Sequence, residues 1–142
     1  MDSDTERPPL LVVDGANVVG SVPDGWWRDR RGAAERLRDA LVPVAEDGLA
    51  LAADRAPGWW HGGPLEVVLV VEGAARGVSG VPRVRVVAAS GSGDDCIVEL
   101  VAAARSAVPD RACLVVTADR ELRTRVTALG AEVAGPRTVR PA

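Results

Sequence analysis

The chain has 142 residues, 47% of them apolar, and a formal charge of −3 at pH 7. That length suits one domain with a substantial core, and the acidic balance leaves any nucleic acid to be gripped by a local arginine patch rather than a global field. All 17 basic residues are Arg and His61 is the only His, which excludes a Walker-type phosphate loop, disfavours lysine-dependent phosphoacceptor sites, and rules out two-histidine zinc or acid–base pairs.

Carboxylates are left as the main reactive side chains. Met1–Pro9 reads as a charged tail ending in Pro8-Pro9. Leu10–Asp14 is a short apolar run of the kind covered on both faces of a parallel sheet. Gly15, Asn17 and Gly20 give it a turn-rich exit. Asp29–Ala45 predicts a helix, because Ala33, Ala34, Leu37, Ala40, Leu41 and Val44 share one face. Pro43 is expected to end or kink it.

Gly48–Arg55 fits a short helix and Pro57–Pro64 a loop containing Trp59-Trp60-His61. Glu66–Val71 is a second buried strand that stops at Glu72-Gly73. Arg83–Ala88 reads as a third strand, and Gly91-Ser92-Gly93 opens a helix from Asp94 to Ser106. Cys113–Thr117 is a fourth strand. Arg120–Leu129 is a helix stopped by Gly130, and Ala131–Ala134 a fifth strand. The alternation predicts an α/β domain over residues 10–135, with a mostly parallel sheet of about five strands and helices on both faces. Residues 1–9 and 136–142 are the predicted tails.

Cys96 and Cys113 lack metal-type spacing and read as reduced, buried thiols. No stretch reaches the ~18 apolar residues of a membrane span, and the N-terminus is acidic rather than signal-like. A cytoplasmic location with no membrane partner is the expectation.

Acids recur where strands end and helices begin, the edge at which open α/β sheets bind ligands. Asp14 follows four apolar strand residues. Asp94 and Asp95 open a helix, where Ser92 and Asp95 also resemble a capping box. Asp119 stands where a helix N-cap would, and Glu72 closes the second strand. Each has an ordinary reading as a cap, turn or surface acid. Together they form an oxygen-rich set that suits a hard cation, since converging carboxylates otherwise repel one another. Glu99, one turn beyond Asp95, is either a supporting acid or a surface one. For gripping a strand, Trp26-Trp27-Arg28-Asp29-Arg30-Arg31 combines stacking surface with phosphate-pairing charge, although Trp also serves simple packing.

Three segments resemble the NYN branch of the PIN-like nucleases, in its YacP-like bacterial form. They are Leu11-Val12-Val13-Asp14-Gly15-Ala16-Asn17-Val18-Val19-Gly20, Asp94-Asp95-Cys96-Ile97-Val98, and Val115-Val116-Thr117-Ala118-Asp119-Arg120-Glu121-Leu122-Arg123. The resemblance implies a Mg²⁺- or Mn²⁺-dependent ribonuclease acting on single-stranded or structured RNA. It implies Asp14, Asp94, Asp95 and Asp119 as catalytic acids and metal ligands. Glu72 is a further ligand, where the family more often has Asp. Asn17, Trp27, Arg28, Arg31, Thr117, Arg120 and Arg123 are the expected substrate contacts, and a homodimer is one assembly open to the chain. A non-catalytic RNA-binding module and a metal-dependent nucleotide pyrophosphohydrolase are the alternative readings.

Overall fold

The computed structural model describes residues 8–49 and 63–139. Five strands form one sheet: β1 (Leu10–Asp14), β2 (Glu66–Val71), β3 (Val84–Ala88), β4 (Cys113–Val116) and β5 (Glu132–Ala134). Their order is β3-β2-β1-β4-β5 and every neighbouring pair is parallel. The mostly parallel sheet predicted from the strand–helix alternation is therefore wholly parallel.

Period-two alternation explains how short apolar strands serve two cores at once. Leu11, Val13, Val67, Leu69, Val71, Leu114 and Val116 face α1 (Gly15–Val19) and α2 (Arg30–Asp47). Leu10, Val12, Val68, Val70 and Val115 face α3 (Gly93–Ala107) and α4 (Arg120–Thr127), meeting Ile97, Val101, Leu122 and Val126. Both faces are covered, which is why these strands carry so little polarity.

Several local expectations change. The residues after Asp14 read as a turn, yet they form α1, because burying Val18 and Val19 outweighs the weak helix preference of Gly and Asn. Asp29 caps α2 by accepting from the Gly32 amide, so the helix starts one residue later than its acid. Pro43 does not end α2, which continues to Asp47. The proline lies on the exposed face, where water can satisfy the carbonyl it frees, and the next turn buries Ala45. Composition predicts a tail from residue 136. Instead Pro136–Thr138 makes a 3₁₀ turn, with Val139 packed into the α2-side core. Most of the predicted Gly48–Arg55 helix, and Trp59, Trp60 and His61, lie outside the described residues.

At the N-terminal edge of the sheet the buried Arg111 forms an ion pair with Glu66 and donates to the Pro8 carbonyl at 3.0 Å. Arg105 in turn donates to the carbonyls of Arg111 and Leu129. Arg111→Ala removes a buried cation from beside Glu66, and is expected to cost about 3 kcal/mol in urea unfolding. Glu66 is one-third exposed (33%), which places the loss at the lower end for such pairs. An unchanged midpoint would show that the clamp adds nothing.

Candidate active site

β1 and β4 are neighbours, while the chain reaches them from opposite sides of the sheet. Their C-terminal ends therefore form a topological switch point, where loops diverge and leave a crevice. The acidic residues gather around this edge.

Asp14 is the best defined. It ends β1 and is only 5% exposed. Its Oδ2 accepts from the Thr117 hydroxyl at 2.9 Å. The Asn17 amide also favours the ionised form, although it falls short of a capping bond to the carboxylate. Burial outweighs both and lifts the Asp14 pKa to about 6, with Asp94 and Glu72 adding repulsion. A simple turn residue would keep its carboxylate in water.

Asp94 lies in the first turn of α3. Its pKa is raised by partial burial first, and then by the charges of Asp119 and Glu72. Asp119 caps α4, accepting from the Leu122 amide at 2.9 Å through Oδ1. It is thus both a structural cap and a member of the acidic group. Glu72, just past β2, accepts from the Gly93 amide. A Cβ at Gly93 would stand 2.5 Å from that carboxylate, so glycine is what admits Glu72 to the start of α3. Asp14, Glu72, Asp94 and Asp119 therefore share one electrostatic neighbourhood.

Asp95 points elsewhere. Its side chain is 69% exposed and pairs with Arg125 at 3.0 Å. Glu99 lies along the same helix beside Asp95 and Cys96, away from the group around Asp14. Among the described residues, no three His, Cys, Asp or Glu side chains stand together closely enough to hold a metal ion as they are placed.

The expected substrate contacts divide in the same way. Thr117 is completely buried, so it does not meet a substrate; its hydroxyl donates to Asp14 and accepts from the Asp119 amide at 3.1 Å. Asn17 accepts from the Ala118 amide at 2.9 Å and ties the exit of β1 to that of β4. Arg123 donates to the Thr117 carbonyl at 2.8 Å, a bracing role rather than a free one. Arg120 is exposed next to Asp119, and Arg28 is exposed on the other side of β1. Arg31 is exposed and pairs loosely with Glu35. Trp27 is 50% exposed and meets Trp26 edge to face.

Of that pair it is Trp26, not singled out from the sequence, that lines a cavity, with Arg30 and Arg76 and next to Glu72 and Ser92. The signal that could have found it is an arginine four residues after a tryptophan: the Arg30 guanidinium lies 5.5 Å from the Trp26 ring centroid, although the non-helical Asp29 separates the two elements.

No protein-family model and no curated protein matches this sequence. Solved structures do. A tryptophan-to-leucine mutant of Rae1 (YacP) from Bacillus subtilis superposes with a TM-score of 0.66 at 18% identity, over 92% of this chain and 72% of that one. Rae1 (YacP) without that mutation gives 0.64 at 19% identity, over 91% and 70%. The chain shares the fold of Rae1 (YacP). At this identity the likeness establishes the fold alone. In the YacP-like frame the DGxN segment is β1 running into α1, and the Thr117-Ala118-Asp119 segment is β4 running into α4.

Proposed function

We propose that this chain is a divalent-metal-dependent ribonuclease whose acids lie at the switch point between β1 and β4. The observation that supports it most is Asp14, a carboxylate buried at a strand end, raised to a pKa of about 6 and surrounded by Asp94 and Glu72. Such an arrangement is unfavourable without a cation and favourable with one. The YacP-like fold adds weight to the choice of reaction class.

The donor set fits Mg²⁺ or Mn²⁺ in kind, being all carboxylate oxygen. Asp14, Asp94 and Asp119 are the residues that would hold the ion, with Glu72 beside them and Asp95 on the outer side. When bound, the ion supplies a Lewis acid for a phosphate oxygen and acidifies water. The protein does the rest. Thr117 fixes the orientation of Asp14 and, through the Asp119 amide, the start of α4. Asn17 keeps the two strand exits together. Arg120, exposed beside Asp119, is free to meet a backbone phosphate.

The test is cleavage of end-labelled single-stranded RNA in Mn²⁺, Mg²⁺ or EDTA, comparing wild type with an Asp94→Asn/Asp119→Asn double variant. Asn caps helices as well as Asp, so the variant keeps α4. The expected result is metal-dependent cutting that falls about 10³-fold in the variant, the scale of losing several kcal/mol of Lewis-acid assistance. RNA bound in EDTA but never cut would indicate a binding module. Turnover of free nucleotides alone would indicate a pyrophosphohydrolase.

A further inference from the structure

A cavity of about 380 Å³ opens between α1, the start of α2 and the exit of β2. Its floor is apolar, formed by Ala16, Val19 and Val71. One wall is the half-buried indole of Trp26, with the Arg30 guanidinium 5.5 Å from the ring centroid. Arg76 is exposed at its rim. Neither Arg30 nor Arg76 forms an ion pair among the described residues, so two arginines face one carboxylate, Glu72, around an apolar slot. The remaining wall includes Ser92, the N-cap of α3, and Glu72, which also belongs to the acidic group.

These features select an occupant. A flat apolar body with an anion attached matches the slot and its arginines, and the size is that of a small-molecule pocket. A nucleotide has this form. A membrane surface would need a protruding apolar face, not a recess. We infer that the cavity is a base-binding subsite: it takes one unstacked nucleobase of the RNA strand, with the adjoining phosphate on Arg30 and Arg76. This rests on the ribonuclease reading for the identity of the strand. The shared wall at Glu72 places the base next to the phosphodiester presented to the acids. Strand selection then depends on an unpaired nucleotide, since a base within a duplex cannot leave its stack to enter a recess without a penalty.

The experiment follows backbone amide shifts of the ¹⁵N-labelled protein during titration with 5′-AMP in EDTA, and with ribose 5-phosphate as a base-free control. Saturable shifts are expected at Ala16, Gly73, Arg76 and Gly91, with ribose 5-phosphate binding about tenfold or more weakly, the scale of one base–aromatic stack. Arg76→Ala should weaken AMP binding several-fold; its exposure makes it safe for folding. Trp26→Leu, checked by circular dichroism, should abolish the advantage of AMP over ribose 5-phosphate. Equal binding of the two ligands, shifts confined to other faces, or unchanged affinity in folded Arg76→Ala would overturn the subsite. Because the titration needs neither metal nor cleavage, AMP binding with RNA left uncut upholds the cavity and removes only the catalytic reading. RNA cut with an unchanged KM by both variants does the reverse.

Discussion

Asp14→Asn is expected to raise the melting temperature of the metal-free protein at pH 7.5 while abolishing metal-dependent cleavage. The native Asp14 pKa is raised from 3.8 to about 6, chiefly by burial. A carboxyl raised on folding stabilises the native state when protonated. Its contribution is complete below about pH 4 and is lost as pH rises through 6. By pH 7.5 the loss amounts to roughly 3 kcal/mol, at about 1.4 kcal/mol for each pH unit between the two values. Asn is neutral and keeps an oxygen for the Thr117 hydroxyl, so it escapes this penalty. Relief of that size corresponds to a melting shift on the order of 10 °C for a domain of this length. Melts in EDTA at pH 4.5 and 7.5 check it: the wild type should lose stability between them, and the variant should lose less. Added Mn²⁺ should then stabilise wild type alone. A variant that melts lower than wild type at pH 7.5 would refute the claim that Asp14 is held against its own ionisation.

Gly15→Ala should damage the same edge by a steric route. The backbone torsion of Gly15 is ordinary, so the reason for glycine is proximity. A Cβ there would lie 2.5 Å from the Val70 carbonyl oxygen and 3.2 Å from Leu69 Cδ1. Val70 is the register partner of Asp14 in β2, so the clash falls on backbone that cannot yield independently. α1 must lift away from β2, taking the Asp14–Asn17 segment with it. Overpacking of this kind costs about 2–3 kcal/mol, and the displacement should reduce cleavage at least about tenfold, as 1 Å misplacements in catalytic groups do. Gly91→Ala is the control. Its Cβ would meet nothing within 4 Å, so urea midpoints should match wild type. Equal stability for both variants would mean that α1 is free to move.

The architecture was legible because five apolar runs, each bounded by an acid or a glycine, can be satisfied only by a sheet covered on both sides. Asp14, Asp94, Asp119 and Glu72 were visible as acids at those boundaries. Their orientations were not. Asp94 and Asp95 are adjacent and chemically identical, and the choice between them depends on where α4 presents Arg125. Thr117 looked like a polar contact for substrate, but the neighbouring strand brings Asp14 to its hydroxyl and buries it. Trp26 and Trp27 differ only in which one the turn after α1 directs inward, and Trp26 is the one that packs against the α2-side core. Local pattern fixes which residues reach the edge. Tertiary contacts between segments far apart in the chain decide what each one does there.

The position of β1 at the middle of the sheet also governs the order in which the molecule can be made. It is made before its neighbour β4, and the Thr117–Asp14 bond joins residues 103 apart. Until β4 emerges, a row of backbone donors and acceptors on this fully buried strand has no native mate. Such long-range parallel pairing folds slowly and leaves nascent chains prone to association. Asp119 joins Asp14, Glu72 and Asp94 only once β4 and α4 are in place, so the acidic edge is completed by segments that follow α3.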